Sequence, residues 1–389
     1  MKKQQEYFAV FIGLLVMAPI QGQTANIVVD ASGNCTLAEA ITSANNDDGA
    51  ENGCVDGFEH DTIILEKDVL LEEGEDARPP ITSSVTIEGQ GYIIDGNGGI
   101  GYVLKISEGP HDEDPCIGGD LTLNNATITG GNHAHSGDVT TGMLNNGGGI
   151  TNACFGTVTL NSSTVSGNTA LGNGGGIFNA PFASLTLNNS TVSGNRSEGN
   201  GGGGICNDNG YVTLNNSTVS GNSAAGDGGG ICSVWVHGPN PFFISTSVLL
   251  NNSLISGNTS LNGNEIYQSS VPVYADSYNL FGHSDENDAE AFFGFFPGES
   301  DVNASDGGTS GTLIPTALSA LLAPLADNGG VTMTHALVAG SPAIDIDIGC
   351  STGFTEDQRG QSRPVGDGCD TGSFEFVLST PSEAAIATL

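Results

Sequence analysis

Through the middle of the chain, apolar residues alternate with Ser and Thr in runs of only three or four, as in Leu185-Thr-Leu-Asn-Asn-Ser-Thr-Val-Ser-Gly-Asn195. A period of two predicts strands, and the brevity of the runs predicts very short ones. Asn-Asn and Gly-Asn separate the runs; both residue types tolerate left-handed backbone angles at low cost, which predicts tight bends. The unit recurs from Leu123, Leu160, Leu187, Leu214 and Leu250. Leu160 to Leu187 and Leu187 to Leu214 are steps of 27 residues, whereas Leu123 to Leu160 takes 37 and Leu214 to Leu250 takes 36, implying an inserted loop in each longer step. Most units run on through glycines to Ile150, Ile177, Ile205 or Ile231.

Three short strands and three bends per 27 residues describe one rung of a parallel β-helix, an all-β solenoid. Rungs would stack at roughly 4.8 Å, with inward Leu, Val and Ile forming a continuous core. Glycine is too frequent, and a 3.6-residue apolar period too absent, for helical repeats. Leucine-rich repeats would need more leucine, and propeller blades longer strands. Upstream, Ile81–Gly89 and Tyr92–Gly96 read as less regular rungs. Before them, Thr36-Leu-Ala-Glu39 has the form of a capping box, and Leu37, Ala40, Ile41 and Ala44 share one helical face. A short helix there would cover the open first rung.

Lys2 and Lys3 precede the apolar run Tyr7 to Ile20, followed by small and polar residues to Ala25. That is the layout of a secretory leader, residues 1–25. No later run is long and apolar enough to span a membrane. Eight cysteines suit an oxidising compartment and, by position, suggest the pairs Cys35–Cys54, Cys116–Cys154, Cys206–Cys232 and Cys350–Cys369. Cys206 and Cys232 both follow Gly-Gly-Gly-Ile, and so occupy equivalent places on neighbouring rungs, where the strand spacing falls within the Cα separation of a disulfide. Closely spaced C-x-x-C pairs, the usual mark of a zinc site, do not occur.

Charge excludes more than it identifies. Eight Lys and Arg against 44 Asp and Glu leave a formal net charge of −36, which argues against nucleic acid or an anionic membrane as partner.

Cys35-Thr-Leu-Ala-Glu-Ala-Ile41, followed by Ala44-Asn45, resembles the CSLREA motif of secreted bacterial β-helix proteins, with Thr36 and Ala38 in place of Ser and Arg. The Ser-Gly-Asn…Gly-Gly-Gly-Ile units resemble polymorphic outer membrane protein repeats, which implies a right-handed parallel β-helix of the pectin lyase-like kind. Pro324–Gly330, Ala339–Asp345 and Asp357-Gln-Arg-Gly360…Arg363-Pro364 are similar to the choice-of-anchor Q domain. The expected organisation is therefore a leader (1–25), an N-terminal cap (26–80), the β-helix (81–283), an irregular C-terminal cap (284–376) and a tail (377–389) without an apolar anchor.

The resemblance carries no common activity, so chemistry must be sought in the residues. Beyond the leader the cations are Lys67, Arg78, Lys105, Arg196, Arg359 and Arg363. Arg196, at a bend beside Ser197 and Glu198, reads as solvated rather than as a lyase base. Arg359 and Arg363 read as structural partners of Asp357 or Asp367. Successive rungs carry no repeated carboxylate pair, which a glycosidase would hold about 5 to 9.5 Å apart. Two insertions could carry something specific. His133, His135 and Asp138 could ligate a metal, though a Gly/Ser loop favours plain solvation. Trp235, His237, Phe242 and Phe243 could form a sugar- or protein-binding patch, or simply pack on the flank. Asn45–Gly49 and Asp285–Asp288 are oxygen-rich and could hold calcium, although neither has EF-hand spacing. Stacked Asn188, Asn215 and Asn251 would exchange amide hydrogen bonds from rung to rung.

The expectation from the sequence is a monomeric, secreted or surface-bound β-helix scaffold, more binder than enzyme, that serves adhesion or envelope interaction by meeting an extracellular glycan or surface protein. No resident cofactor is expected, and no catalytic residue is assigned. The alternative is a carbohydrate-active enzyme, lyase or hydrolase, acting on an extracellular polysaccharide.

Overall fold

The 27-residue step becomes vertical contact, because Leu187 stands in register between Leu160 and Leu214. The computed structural model describes residues 24–46, 53–72, 79–99, 101–107, 118–133, 146–153, 155–235, 246–275 and 277–378. Over these residues the chain is a right-handed parallel β-helix. Its first wall contains Asp120–Asn124, Thr157–Asn161, Ser184–Asn188, Tyr211–Asn215 and Val248–Asn251. The second contains Thr127–Thr129, Thr164–Ser166, Thr191–Ser193, Thr218–Ser220 and Leu254–Ile255. The third contains Ile150–Asn152, Ile177–Asn179, Ile205–Asp208, Ile231–Val234 and Ile266–Gln268.

Inward residues form columns with no solvent exposure: Leu160, Leu187, Leu214 and Leu250; Val165, Val192, Val219 and Ile255; Ile150, Ile177, Ile205, Ile231 and Ile266. Burying one such side chain is worth about 1.5–3 kcal/mol, so the columns are the main cohesive element.

Each bend divides its labour between two residues. In Asn-Asn the second residue takes the left-handed backbone (Asn189 φ 45°, Asn216 φ 46°, Asn252 φ 46°), while the first hydrogen-bonds the adjacent rung. In Gly-Asn the glycine takes it (Gly194 φ 64°), and Asn195 turns inward. The glycine triplets are demanded by proximity. A Cβ on Gly175 would lie 2.3 Å from the backbone carbonyl carbon of Arg196 on the next rung.

The stack is longer than residues 81–283. Thr24–Val29 pairs with His60–Leu65 at one end, and Val302–Asn303 with Thr312–Leu313 at the other. These end rungs lack the Asn and Gly repeat, which is why the sequence placed them in the caps. Helix Leu37–Asn46 forms as expected. The Thr36 backbone N–H donates to Glu39 at 2.8 Å, the Glu39 N–H donates to the Thr36 hydroxyl at 3.2 Å, and Leu37, Ala40, Ile41 and Ala44 are buried.

The C-terminal segment is irregular, but it lies along the flank of the helix rather than over its end. Its antiparallel pair, Leu322–Ala326 with Thr334–Leu337, sits beside the second wall. From there it bonds successive rungs: Met333 O accepts from Thr164, Gln358 Oε1 from Thr191, and the Ser373 N–H donates to Thr218. Thr371 reaches Asn252 at 3.0 Å.

Candidate functional site

Two of the expected disulfides are present, Cys35–Cys54 and Cys350–Cys369. Cys116 and Cys154 lie outside the described residues. The pairing expected for Cys206 and Cys232 requires correction. They are in-register neighbours, as inferred, but both are buried free thiols. Parallel neighbours point their Cα–Cβ bonds the same way, so the Cβ atoms stay near the strand spacing of about 4.8 Å, beyond the roughly 3.5–4.5 Å that a disulfide needs. Hydrogen bonding with Cys232 and then burial push the Cys206 thiol well above its ordinary value.

The other candidates separate into structural roles and one unexpected cluster. Arg196 is exposed beside Glu198 at 3.4 Å. Arg359 clasps Asp357 at 2.6 Å and lies over the Phe374 ring. Arg363, fully buried, sits 3.4 Å from Glu375 rather than on Asp367, and donates to the carbonyls of Asp370 and Gly372. These arginines hold the flanking segment to itself. His133 Nδ1 is 2.9 Å from the Asn146 carbonyl, while His135 and Asp138 lie outside the described residues. So do His237, Phe242 and Phe243; the Trp235 backbone N–H donates to Ser270. Of the first oxygen-rich segment, Asn45 pins Pro80, Thr82 and Ser83, and residues 47–49 are not described.

In the second oxygen-rich segment the carboxylates face different ways. Asn287 and Glu290 form a capping box on helix Asp288–Ala291. Asp288 accepts from Asn303, Ser305 and Thr309. Glu286 turns inward, 4% exposed, to meet Glu265 and His283. Glu265 is fully buried and stands where Gly204 and Gly230 stand on earlier rungs. Gly282 takes the left-handed corner at φ 74° one position earlier than Gly257 does, since Phe281 pairs with Ile255, and His283 follows it. His283 Nδ1 is 3.2 Å from Glu286 Oε1 and 3.7 Å from Glu265 Oε1. Burial, and then the charge of Glu286, raise Glu265 to about 8. Glu265 and Glu286 beside the imidazole raise His283 to about 10. The segment around Glu286 stood out in the sequence, but Glu265 and His283 did not; the available signal was the break in the Gly-Gly-Gly-Ile and Gly-Asn repeats.

Rows of polar side chains lead into these carboxylates. Nδ2 of Asn168 donates to Asn195, Asn195 to Asn222, and Asn222 to Asn258, at 2.9–3.0 Å. Asn258 donates to Glu265 at 2.5 Å. The expected outer row is present and runs the opposite way, from Asn251 through Asn215, Asn188 and Asn161 to Asn124, and then to Glu88. A carboxylate, which only accepts, is the natural end of a row in which every amide donates forward.

On the outside, the corner between the third and first walls carries an aromatic ledge. Phe155 and Phe182 stack on consecutive rungs, with ring centroids 5.4 Å apart and planes at 13°. Both have left-handed backbones (φ 59° and 65°), and Phe155 is 62% exposed. The same corner one rung on is Asn209, at φ 52°. A bulky residue in this conformation carries strain of about 1–3 kcal/mol that Asn largely avoids. Tyr211, Leu249 and Tyr274 are exposed on the adjoining first wall. A separate cleft of about 510 Å³, between the Asn125–Asn189 corner and the flanking segment, is lined by Glu356, Asp357, Gln358 and Arg359. Of its charged members, Asp357 and Arg359 are already engaged with each other.

Comparison with protein-family models, with characterised proteins and with solved structures gave no match to this chain. The two disulfides accord with an extracellular protein, and no helix among the described residues is long and apolar enough to cross a membrane.

Proposed function

We propose that the chain is an exported binding scaffold, a rigid β-helix that offers its aromatic corner to a neutral extracellular glycan. The observation that carries this reading is the Phe155–Phe182 stack. Backbone economy favours Asn or Gly at that corner, and solubility disfavours a phenylalanine as exposed as Phe155, so a stack of it on the half-buried Phe182 needs another reason to be there. Stacked flat rings suit the apolar face of a sugar, with hydroxyls reaching the Thr and Asn rows of the first wall. A net charge of −36 opposes an anionic polysaccharide and leaves neutral glycans as the favoured class. The resemblance to secreted bacterial β-helix proteins supports location at or beyond the cell surface. Titration of the purified chain with neutral oligosaccharides tests the reading. Saturable binding should weaken about tenfold in the Phe155→Ala, Phe182→Ala double variant. Shortened oligosaccharide products would replace it with the carbohydrate-active enzyme.

A further inference from the structure

We propose that Glu265, His283 and Glu286 bind a first-row divalent cation, of the zinc or manganese class, through one imidazole nitrogen and two carboxylate oxygens. The three donor atoms lie within 4.8 Å of one another. Metal–ligand bonds of about 2.0–2.2 Å in a tetrahedral site put neighbouring donors roughly 3.4 Å apart, and the two separations from His283, 3.2 and 3.7 Å, bracket that value.

Unmet bonding capacity points the same way. Glu286 is buried, and its Oε1 faces His283 Nδ1 at 3.2 Å without hydrogen-bond geometry, so that neither atom is hydrogen-bonded. The other oxygen of Glu286 is occupied by Asn264 at 3.0 Å, which fixes the carboxylate with its idle oxygen aimed at the cluster. Glu265 is held from behind as well. Its Oε1 accepts from the Gly257 N–H at 2.7 Å and its Oε2 from Asn258, the last member of the inward Asn row. These are outer contacts of the kind that orient metal ligands. Glu265 and His283 arrive where the repeat is broken: Glu265 replaces a glycine that close packing otherwise requires, and His283 follows a corner glycine that comes one residue early.

Two carboxylates, a neutral imidazole and a divalent cation sum to zero, so the loaded site would bury no net charge. The nitrogen donor and the small ligand number favour zinc or manganese over calcium, which takes six to eight oxygens. The His283 side chain is 15% exposed, which leaves room for a water as fourth ligand.

The test uses the full exported chain, stripped with chelator, and titrates Zn²⁺ and Ca²⁺ separately by calorimetry. One Zn²⁺ per chain is expected, bound at least tenfold tighter than Ca²⁺, with Glu286→Gln and His283→Gln each weakening Zn²⁺ at least tenfold. Co²⁺ should give the visible absorption of a four-coordinate N/O site. His283 is partly exposed, so its variant keeps the test valid should Glu286→Gln fail to fold. Absence of stoichiometric binding, unchanged affinity in a folded His283→Gln, or a thiolate-to-Co²⁺ band from Cys206 and Cys232 would each overturn the proposal.

Discussion

Asn258 donates its side-chain amide to Glu265 at 2.5 Å, so a row of four buried asparagines ends on a carboxylate. Every amide in the row both donates forward and accepts from behind, and such chains polarise one another. Truncating a middle member should therefore cost more than one hydrogen bond. Asn222→Ala leaves the Asn195 backbone N–H without its acceptor and removes one of the two bonds made by Asn195 Nδ2 and by Asn258 Oδ1, and should lower urea stability by about 3 kcal/mol. Asn215→Ala, in the half-buried outer row, should cost about 1 kcal/mol. Equal losses would remove the distinction drawn between the rows.

Leu187 is the cleanest probe of the stacked core, since it is fully buried between Leu160 and Leu214. Leu187→Ala should destabilise by about 3–4 kcal/mol, because rungs fixed above and below cannot collapse into the cavity. A loss under about 1 kcal/mol would mean that the column is not continuous.

Cys206 and Cys232 should remain thiols in the air-oxidised protein. Peptide mapping after alkylation under denaturing, non-reducing conditions should find both of them modified, and Cys35, Cys54, Cys350 and Cys369 protected. In the native protein neither should react, since both are buried. Recovery of a Cys206–Cys232 linked peptide would restore the disulfide.

His335 joins the flanking segment to the second wall, with Nδ1 2.8 Å from the Ala323 carbonyl and Nε2 2.8 Å from the Ser193 hydroxyl. Nδ1 donates, so Nε2 accepts, and the ring is neutral. Burial holds its pKa below the ordinary 6.5. The unfolded chain then binds the proton first as pH falls below 6.5, so this site's stability is full above that pH and declines below it, by at most about 1.4 kcal/mol per pH unit. Melting temperature should fall more steeply between pH 7 and 5 in the wild type than in His335→Gln. Parallel pH profiles would show that the histidine is not the sensor.

The β-helix was legible because its period is written in residues that bends require: the second Asn of Asn189 and Asn216 and the glycine of Gly194 have left-handed backbones that few other residues accept. The outer amide row was visible for the same reason. What escaped notice lacks periodicity. Glu265 and His283 are 18 residues apart, on different rungs, and their meeting depends on where the repeat fails. The partners of the flanking segment escaped too, because Gln358 and Thr164 are 194 positions apart and nothing local in either predicts the other. Spacing along the chain carries no direction: the Cα separation of Cys206 and Cys232 suits a disulfide, whereas their parallel Cα–Cβ bonds do not.

The flanking segment also gives the solenoid a fixed length. A stack of like rungs has no intrinsic limit, and one 27-residue module could be lost or duplicated with little local disturbance. Here Thr332, Gln358, Ser373 and Thr371 bond Ser162, Thr191, Thr218 and Asn252 in turn, so the last part of the chain works as a ruler. A protein with one rung more or fewer would leave some of those marks without a partner, and module number can change only if the ruler is recut with it.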